Sequence, residues 1–208
     1  MEHLERYYRF QSTIYDATRW LFLFGREAML SEIRRAHPGA VEIVEIGCGT
    51  GRNLERLATI FPEASITGID LSPDMLARAA RRTARFGRRV TLQRKIQRGS
   101  LQARPDVILC SYSLSMMNPG WDEVVAAAAA SLAASGILAV VDFHDTPAGW
   151  FRAHMGKHHV RMEAHLLPAL SSALKPERVV IRKAYAGLWR YLSFVGRKAP
   201  PSSSSGGP

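Results

Sequence analysis

The stretch Val41–Gly51, VEIVEIGCGTG, constrains this chain more than any other. Val41, Ile43, Val44 and Ile46 form a short β-branched run, the composition of a buried strand. Glycines follow at Gly47, Gly49 and Gly51, and a helix-forming run from Asn53 to Phe61 closes at Pro62. A strand that breaks into alternating glycines and then enters a helix is a ligand loop. Without Cβ atoms the backbone turns tightly and approaches a bound molecule. The dinucleotide spacing G-x-G-x-x-G needs glycine at position 52, where Arg52 stands. The third glycine comes one residue early, which argues against a pyrophosphate on this helix.

Strands and helices alternate after that point. Strands are expected at 41–46, 65–70, 90–93, 106–112 and 136–143, and helices at 27–36, 53–60, 73–86 and 121–134. Alternation with helical crossovers gives a parallel sheet. VVIRKAYAG and LWRYLSFVG, split around Gly187, read as an antiparallel pair. The expected class is therefore α/β: a Rossmann-like, doubly wound, seven-stranded and mostly parallel sheet with an antiparallel C-terminal strand.

The 208 residues suggest one domain, taken as 1–198, with a low-complexity tail at 199–208 that reads as disordered. Residues 1–26 form an aromatic amphipathic lead, including Tyr7, Tyr8, Phe10, Tyr15, Trp20, Phe22 and Phe24. This lead reads either as a core-packing helix or as a lid that also touches membrane. Cys48 and Cys110 lie far apart without a C-x-x-C, which suggests a reducing interior and no disulfide framework. The N-terminus lacks signal-peptide character, and no apolar run approaches the ~20 residues that span a bilayer. The expected location is cytoplasmic, at the membrane periphery.

The net charge of +10 is localised, because Leu76–Pro105 holds ten basic residues and no acid. Arg78, Arg81, Arg82, Arg85 and Arg89 are placed on one helical face. A solvated face is the ordinary reading of such a run. The lack of compensating acids favours attraction to a polyanion equally, either anionic lipid or RNA.

The segment EIGCGTG, followed by Asp70 after SITGID, resembles the S-adenosylmethionine loop of class I methyltransferases. That resemblance implies a loop around the methionine end of the cofactor and places the ribose hydroxyls on Asp70, whose two oxygens suit two vicinal donors. It implies cofactor contacts from Glu45, Gly47, Cys48, Gly49, Gly51, Asn53 and Ser111, with Leu71 and Met75 flanking adenine. After the third strand the run QRKIQRGSL offers no acid for the adenine amino group.

A finer resemblance rests on Tyr7-Tyr8, IYDATRWLFLFGR (14–26), SYSLSMM (111–117), DFHDTP (142–147) and HMGKHHVRMEAHLLP (154–168). These segments resemble the BtaB-type betaine-lipid N-methyltransferases, which trimethylate diacylglyceryl-homoserine. The resemblance implies a lipid substrate at an anionic membrane surface, and a possible partner in the enzyme that makes the homoserine lipid. The amine would attack the sulfonium methyl in line, so catalysis is mostly positioning. Tyr15, Tyr112 and His144 are candidates for orienting the amine or accepting its proton. Trp20 and Trp150, with Tyr15, suit a quaternary ammonium. Arg19, Arg161 or Lys157 suits the homoserine carboxylate. His154 and His158 have i, i+4 metal spacing, but methyl transfer from a sulfonium needs no metal, so none is expected. The alternatives are a phosphatidylethanolamine or other small-molecule N-methyltransferase and, in a different class, an RNA methyltransferase that uses the basic patch. Nucleic acid is not the expected partner.

Overall fold

The computed structural model describes residues 23–95, 99, 101 and 104–198. The expectations for Tyr15, Arg19, Trp20, most of the N-terminal lead and the tail at 199–208 lie outside those residues. Seven strands form one sheet: β1 (Glu42–Ile46), β2 (Ser65–Asp70), β3 (Val90–Arg94), β4 (Val107–Ser111), β5 (Ile137–Asp145), β6 (Lys175–Ala184) and β7 (Trp189–Arg197). Their order is β3-β2-β1-β4-β5-β7-β6. The first five pair in parallel, and β7 runs antiparallel to both β5 and β6. The expected class and its antiparallel C-terminal strand are both found, with β7 inserted between β5 and β6.

Among the described residues six α-helices flank the sheet: α1 (Arg26–Ala36), α2 (Arg52–Ile60), α3 (Pro73–Thr83), α4 (Trp121–Ser131), α5 (Gly149–Lys157) and α6 (Leu166–Ala173). Two apolar clusters form, one on each face. Met29, Ile33, Leu54, Leu57, Ile43 and Val141 belong to the first. Val44, Ile108, Val125, Val140, Leu170 and Phe194 belong to the second. Strand β5 lies between β4 and β7 and is buried from Ile137 to His144. This explains its near-continuous apolar run, since a central strand covered on both faces has no polar side to show.

Strand order reverses between β1, which leads to β2, and β4, which lies on the other side of β1. Such a reversal opens a crevice at the carboxyl ends of those two strands. The glycine loop leaves β1 at that point.

Three local expectations need correction. The helix placed at 73–86 ends at Thr83, and a 3-10 turn over Ala84–Arg89 follows, with Gly87 at φ 55°. Arg85 and Arg89 therefore leave the face shared by Arg78, Arg81 and Arg82. Arg85 pairs with Glu55 at 3.2 Å, and Arg89 donates to the carbonyls of Phe61 and Ala58. Part of the basic run is thus used within the fold, while Arg81 and Arg82 stay exposed. Helices α5 and α6 were not anticipated. Helix α5 buries only Phe151 and so shows no apolar period, and Pro168 sits in the first turn of α6, where no amide donor is needed.

Among the described residues no helix is long and apolar enough to cross a membrane. The core should respond accordingly. Phe194→Ala removes a fully buried ring and should cost about 3–5 kcal/mol in urea unfolding. Val179→Ala, on the exposed edge strand β6, should change stability by less than about 0.5 kcal/mol.

Candidate functional site at the carboxyl ends of the parallel strands

The glycine loop is held from three sides. Gly47 (φ 77°), Gly49 (φ 52°) and Gly51 (φ 75°) all occupy the left-handed region, which side chains resist. At two of them the close neighbour is protein. A Cβ on Gly47 would lie 2.4 Å from Ser113 Cβ, and one on Gly51 would lie 2.9 Å from Ala79 Cβ. The sequence reading reserved that space for a ligand. The structure fills it at Gly47 and Gly51 with the turn after β4 and with α3. Ser113 also donates its hydroxyl to the carbonyl of Ile46 at 2.9 Å, so the β4 turn is fastened to the end of β1.

Beneath the loop, Asn53 donates to Glu45 Oε1 at 2.6 Å and accepts from Arg26 Nη2 at 3.0 Å. Glu45 and Asn53 are both buried. These two expected cofactor residues support the loop from inside and tie it to the start of α1. The Cys48 side chain is buried too, and burial pushes its thiol well above the ordinary range. Its backbone is engaged as well, the N–H donating to Ile69 O at 3.0 Å and the carbonyl accepting from Gly51 N at 3.0 Å.

Asp70 ends β2 beside the loop. Its Oδ2 accepts from Gly49 N at 2.8 Å and its Oδ1 from Ser72 N at 2.9 Å. A carboxylate has about four acceptor positions, so each oxygen keeps capacity for a further donor. Leu71 next to it is exposed, and half-buried Met75 opens α3, its amide capped by Ser72 Oγ at 3.3 Å. Arg94, opposite Asp70 on β3, donates to the carbonyl of Leu71 at 3.2 Å. Across the crevice, Ser111 ends β4 with its hydroxyl buried and without a protein partner among the described residues. Glu45, Gly47, Gly49, Gly51, Asn53, Asp70, Leu71, Met75 and Ser111 are thus brought together at one end of the sheet.

The acceptor candidates divide. Tyr112 follows Ser111 with φ 52°, yet its ring is 1% exposed and packs edge-on against Phe143. Its hydroxyl donates to the carbonyl of Phe24 at 2.8 Å, and burial holds the phenol above its usual range. Where the sequence reading expected an orienting group or proton acceptor, the structure has Tyr112 as a buried residue that anchors the start of α1, its hydroxyl already donating. His144 lies near the end of β5, 7% exposed, with burial lowering its pKa and with Nδ1 lacking a partner among the described residues. Arg161 is exposed and engaged by Glu163 at 2.8 Å, so the free cation expected there is already paired. Trp150 is 68% exposed on α5 and touches Phe151 edge-on. His154, His158 and His159 are exposed.

Two further residues escaped the sequence reading. Asp142 is fully buried on β5, where it accepts from Ser115 N at 3.1 Å and Phe143 N at 2.8 Å. Burial pushes its carboxyl up to about 6, against the pull of those bonds. The signal was present as a lone acid inside the apolar run ILAVVDF. The other is Ser113, and nothing in its neighbourhood of sequence marks it.

Residues 44–138 match the family model described as methyltransferase domain, slightly less than half of the chain. The sheet also superposes on that of NodS, an N-methyltransferase of Bradyrhizobium japonicum WM9 solved with S-adenosyl-L-homocysteine. The TM-score is 0.67 at 20% identity, covering 83% of this chain and 86% of that one. The fold is that of the class I methyltransferases. The [4+2]-cyclase SpnF shares it, with TM-score 0.71 at 18% identity over 83% of this chain and 81% of that one, so fold alone does not fix the reaction. Among curated relatives, trans-aconitate 2-methyltransferase of Methylobacterium nodulans is 34% identical over 112 residues, 54% of this chain and 41% of that protein. Malonyl-[acyl-carrier protein] O-methyltransferase of Bacillus cytotoxicus is 45% identical over 51 residues, 24% of this chain and 18% of that protein. The matched stretches thus span less than half the length of these curated relatives.

Two outcomes follow from the site geometry. Gly47→Ala should destabilise by about 2 kcal/mol or more, because it adds a clash to a strained φ; thermal unfolding measures it. His165, at the start of α6, has its pKa lowered by burial to about 4. Between pH 6.5 and about 4 the unfolded chain takes up a proton that the folded chain refuses, so stability falls as pH falls through that window. His165→Gln should flatten this fall in urea melts run from pH 7 to pH 4.

Proposed function

We propose that this chain is an S-adenosyl-L-methionine-dependent methyltransferase. The observation that carries the reading is Asp70. Its carboxylate is set by Gly49 N and Ser72 N at the crevice, with acceptor capacity left for two ribose hydroxyls and with Leu71 exposed beside it. The orphaned hydroxyl of Ser111 lies across the same crevice and offers a further polar contact. S-Adenosyl-L-methionine supplies an electrophilic methyl group when bound. The chain's own residues hold the loop rigid and place the acceptor in line with that methyl, which is catalysis by position.

For the acceptor we carry forward the amine of diacylglyceryl-homoserine, methylated three times at an anionic membrane surface. The segments quoted from 14–26, 111–117, 142–147 and 154–168 support it, as do exposed Arg81 and Arg82. A second reading, O-methylation of a small carboxylic acid, is favoured by the names of the curated relatives, which act on trans-aconitate and malonyl-[acyl-carrier protein]. Both acceptors carry a carboxylate. They differ in the atom that takes the methyl.

Labelled methyl transfer into homoserine lipid, phosphatidylethanolamine, trans-aconitate and RNA separates these readings. Sequential mono-, di- and trimethyl homoserine lipid is expected. Label in the acid alone moves the assignment to the second reading, and no transfer to any acceptor by a protein that fails to bind the cofactor contradicts both. Asp70→Ala should weaken cofactor binding by about 1–3 kcal/mol in calorimetry; unchanged affinity would remove Asp70 from the ribose role.

A further inference from the structure

We propose that His144, His165 and Arg152 form the subsite that takes a carboxylate of the methyl acceptor. The proposal rests on the methyltransferase reading above and names a part of the site that the glycine loop does not reach. Three elements bring these residues together. His144 ends the buried run of β5, and its carbonyl accepts from Ala164 N at 2.7 Å, one residue before His165. An isolated bridge between Asp145 and Glu163 continues that contact. Arg152 comes from α5 and donates to the carbonyl of Thr146 at 2.8 Å, just past the end of β5.

Among the described residues three imidazole nitrogens in this cluster are buried without a partner: His144 Nδ1 and both ring nitrogens of His165. Buried polar groups are normally paired, so three unmet nitrogens on two adjacent rings need an account. His165 packs edge-on against Trp121 with centroids 4.7 Å apart, which fixes the ring plane without meeting either nitrogen. Both rings are neutral near pH 7, because burial lowers both pKa values. A neutral imidazole offers one N–H donor. Two such rings give two N–H donors on segments that the Ala164 N to His144 O bond holds side by side.

The charges around the cluster select the sign of that group. Asp145 and Arg190 face His144, while Arg161 and Glu163 face His165. Each carboxylate is already held, Asp145 by Arg190 at 2.6 Å and Glu163 by Arg161 at 2.8 Å. Asp142, two residues before His144, accepts from the amides of Ser115 and Phe143. Arg152 acts on Asp145 and Glu163 from α5 yet bonds neither. Among the described residues it has no carboxylate partner, so its positive charge stands at the Asp145 and Glu163 end of the same cluster. An anion with two acceptor oxygens satisfies all three groups, and a carboxylate is that anion. Arg161, one of the three sequence candidates for this role, is already paired with Glu163.

The test is calorimetry on the full chain saturated with S-adenosyl-L-homocysteine. The probes are trans-aconitate, its trimethyl ester, and vesicles with and without diacylglyceryl-homoserine, so that a small acid and a lipid headgroup are told apart. At least one carboxylate probe should bind and the ester should bind at least tenfold more weakly. His165→Asn and the surface variant Arg152→Gln should each weaken the carboxylate probe at least fivefold, with S-adenosyl-L-homocysteine affinity unchanged within twofold. Arg152→Gln removes no buried group, so it remains informative if His165→Asn folds poorly. Binding of the ester as tightly as the acid, full affinity in Arg152→Gln, or no binding by either carboxylate probe overturns the subsite; the last result is also what ordered water on the three nitrogens would give. If S-adenosyl-L-homocysteine binds while the probes fail, only the subsite falls. If it does not bind, the methyltransferase reading falls first.

Discussion

The contact between Gly47 and Ser113 holds the two halves of the crevice together. Gly47 turns the chain out of β1 at φ 77°, and the Ser113 side chain occupies the space that any Cβ there would need. The Ser113 hydroxyl then closes on the carbonyl of Ile46. Because β1 and β4 are neighbours on either side of the point where strand order reverses, this one contact sets the distance between the glycine loop and the turn after β4. The Asn53 bond to Glu45 fixes the loop from below, and the Asp70 bond to Gly49 N fixes it from the side. Little is left free to move in the loop backbone, which suits a site that works by holding groups in line.

The frame was legible in sequence because its determinants are local. A β-branched run, alternating glycines and a helix start specify a strand–loop–helix unit wherever it occurs, and Asp70 follows the second such strand. Helix ends were less legible. The arginine-rich helix stops at Thr83, three residues short of its expected end, and tightens into a 3-10 turn that runs to Gly87 at φ 55° and on to Arg89, a change of winding that composition does not mark. Arg85 and Arg89 consequently turn toward Glu55 and toward the carbonyls of Phe61 and Ala58, which no helical wheel shows.

The acceptor side was legible only in part, because tertiary contacts decide what each side chain does there. Tyr112 has the composition of a catalytic group and the location of one, yet its hydroxyl is bonded to Phe24 O, 88 residues away. Arg161 has the charge expected of a carboxylate binder and is paired with Glu163. His144 and His165 lie 21 positions apart in the sequence and meet only because the chain after α5 returns to the end of β5. A histidine-rich window marks such a region without saying which rings are buried.

The central claim is that one crevice, bounded by the glycine loop, Asp70 and the turn after β4, holds S-adenosyl-L-methionine. Hydrogen–deuterium exchange with and without S-adenosyl-L-homocysteine tests it most directly. The account predicts slowed exchange in 47–53, 70–76 and 111–117 together, with β6 at the far sheet edge unchanged. Protection that spares the glycine loop, or that concentrates at β6, would contradict it.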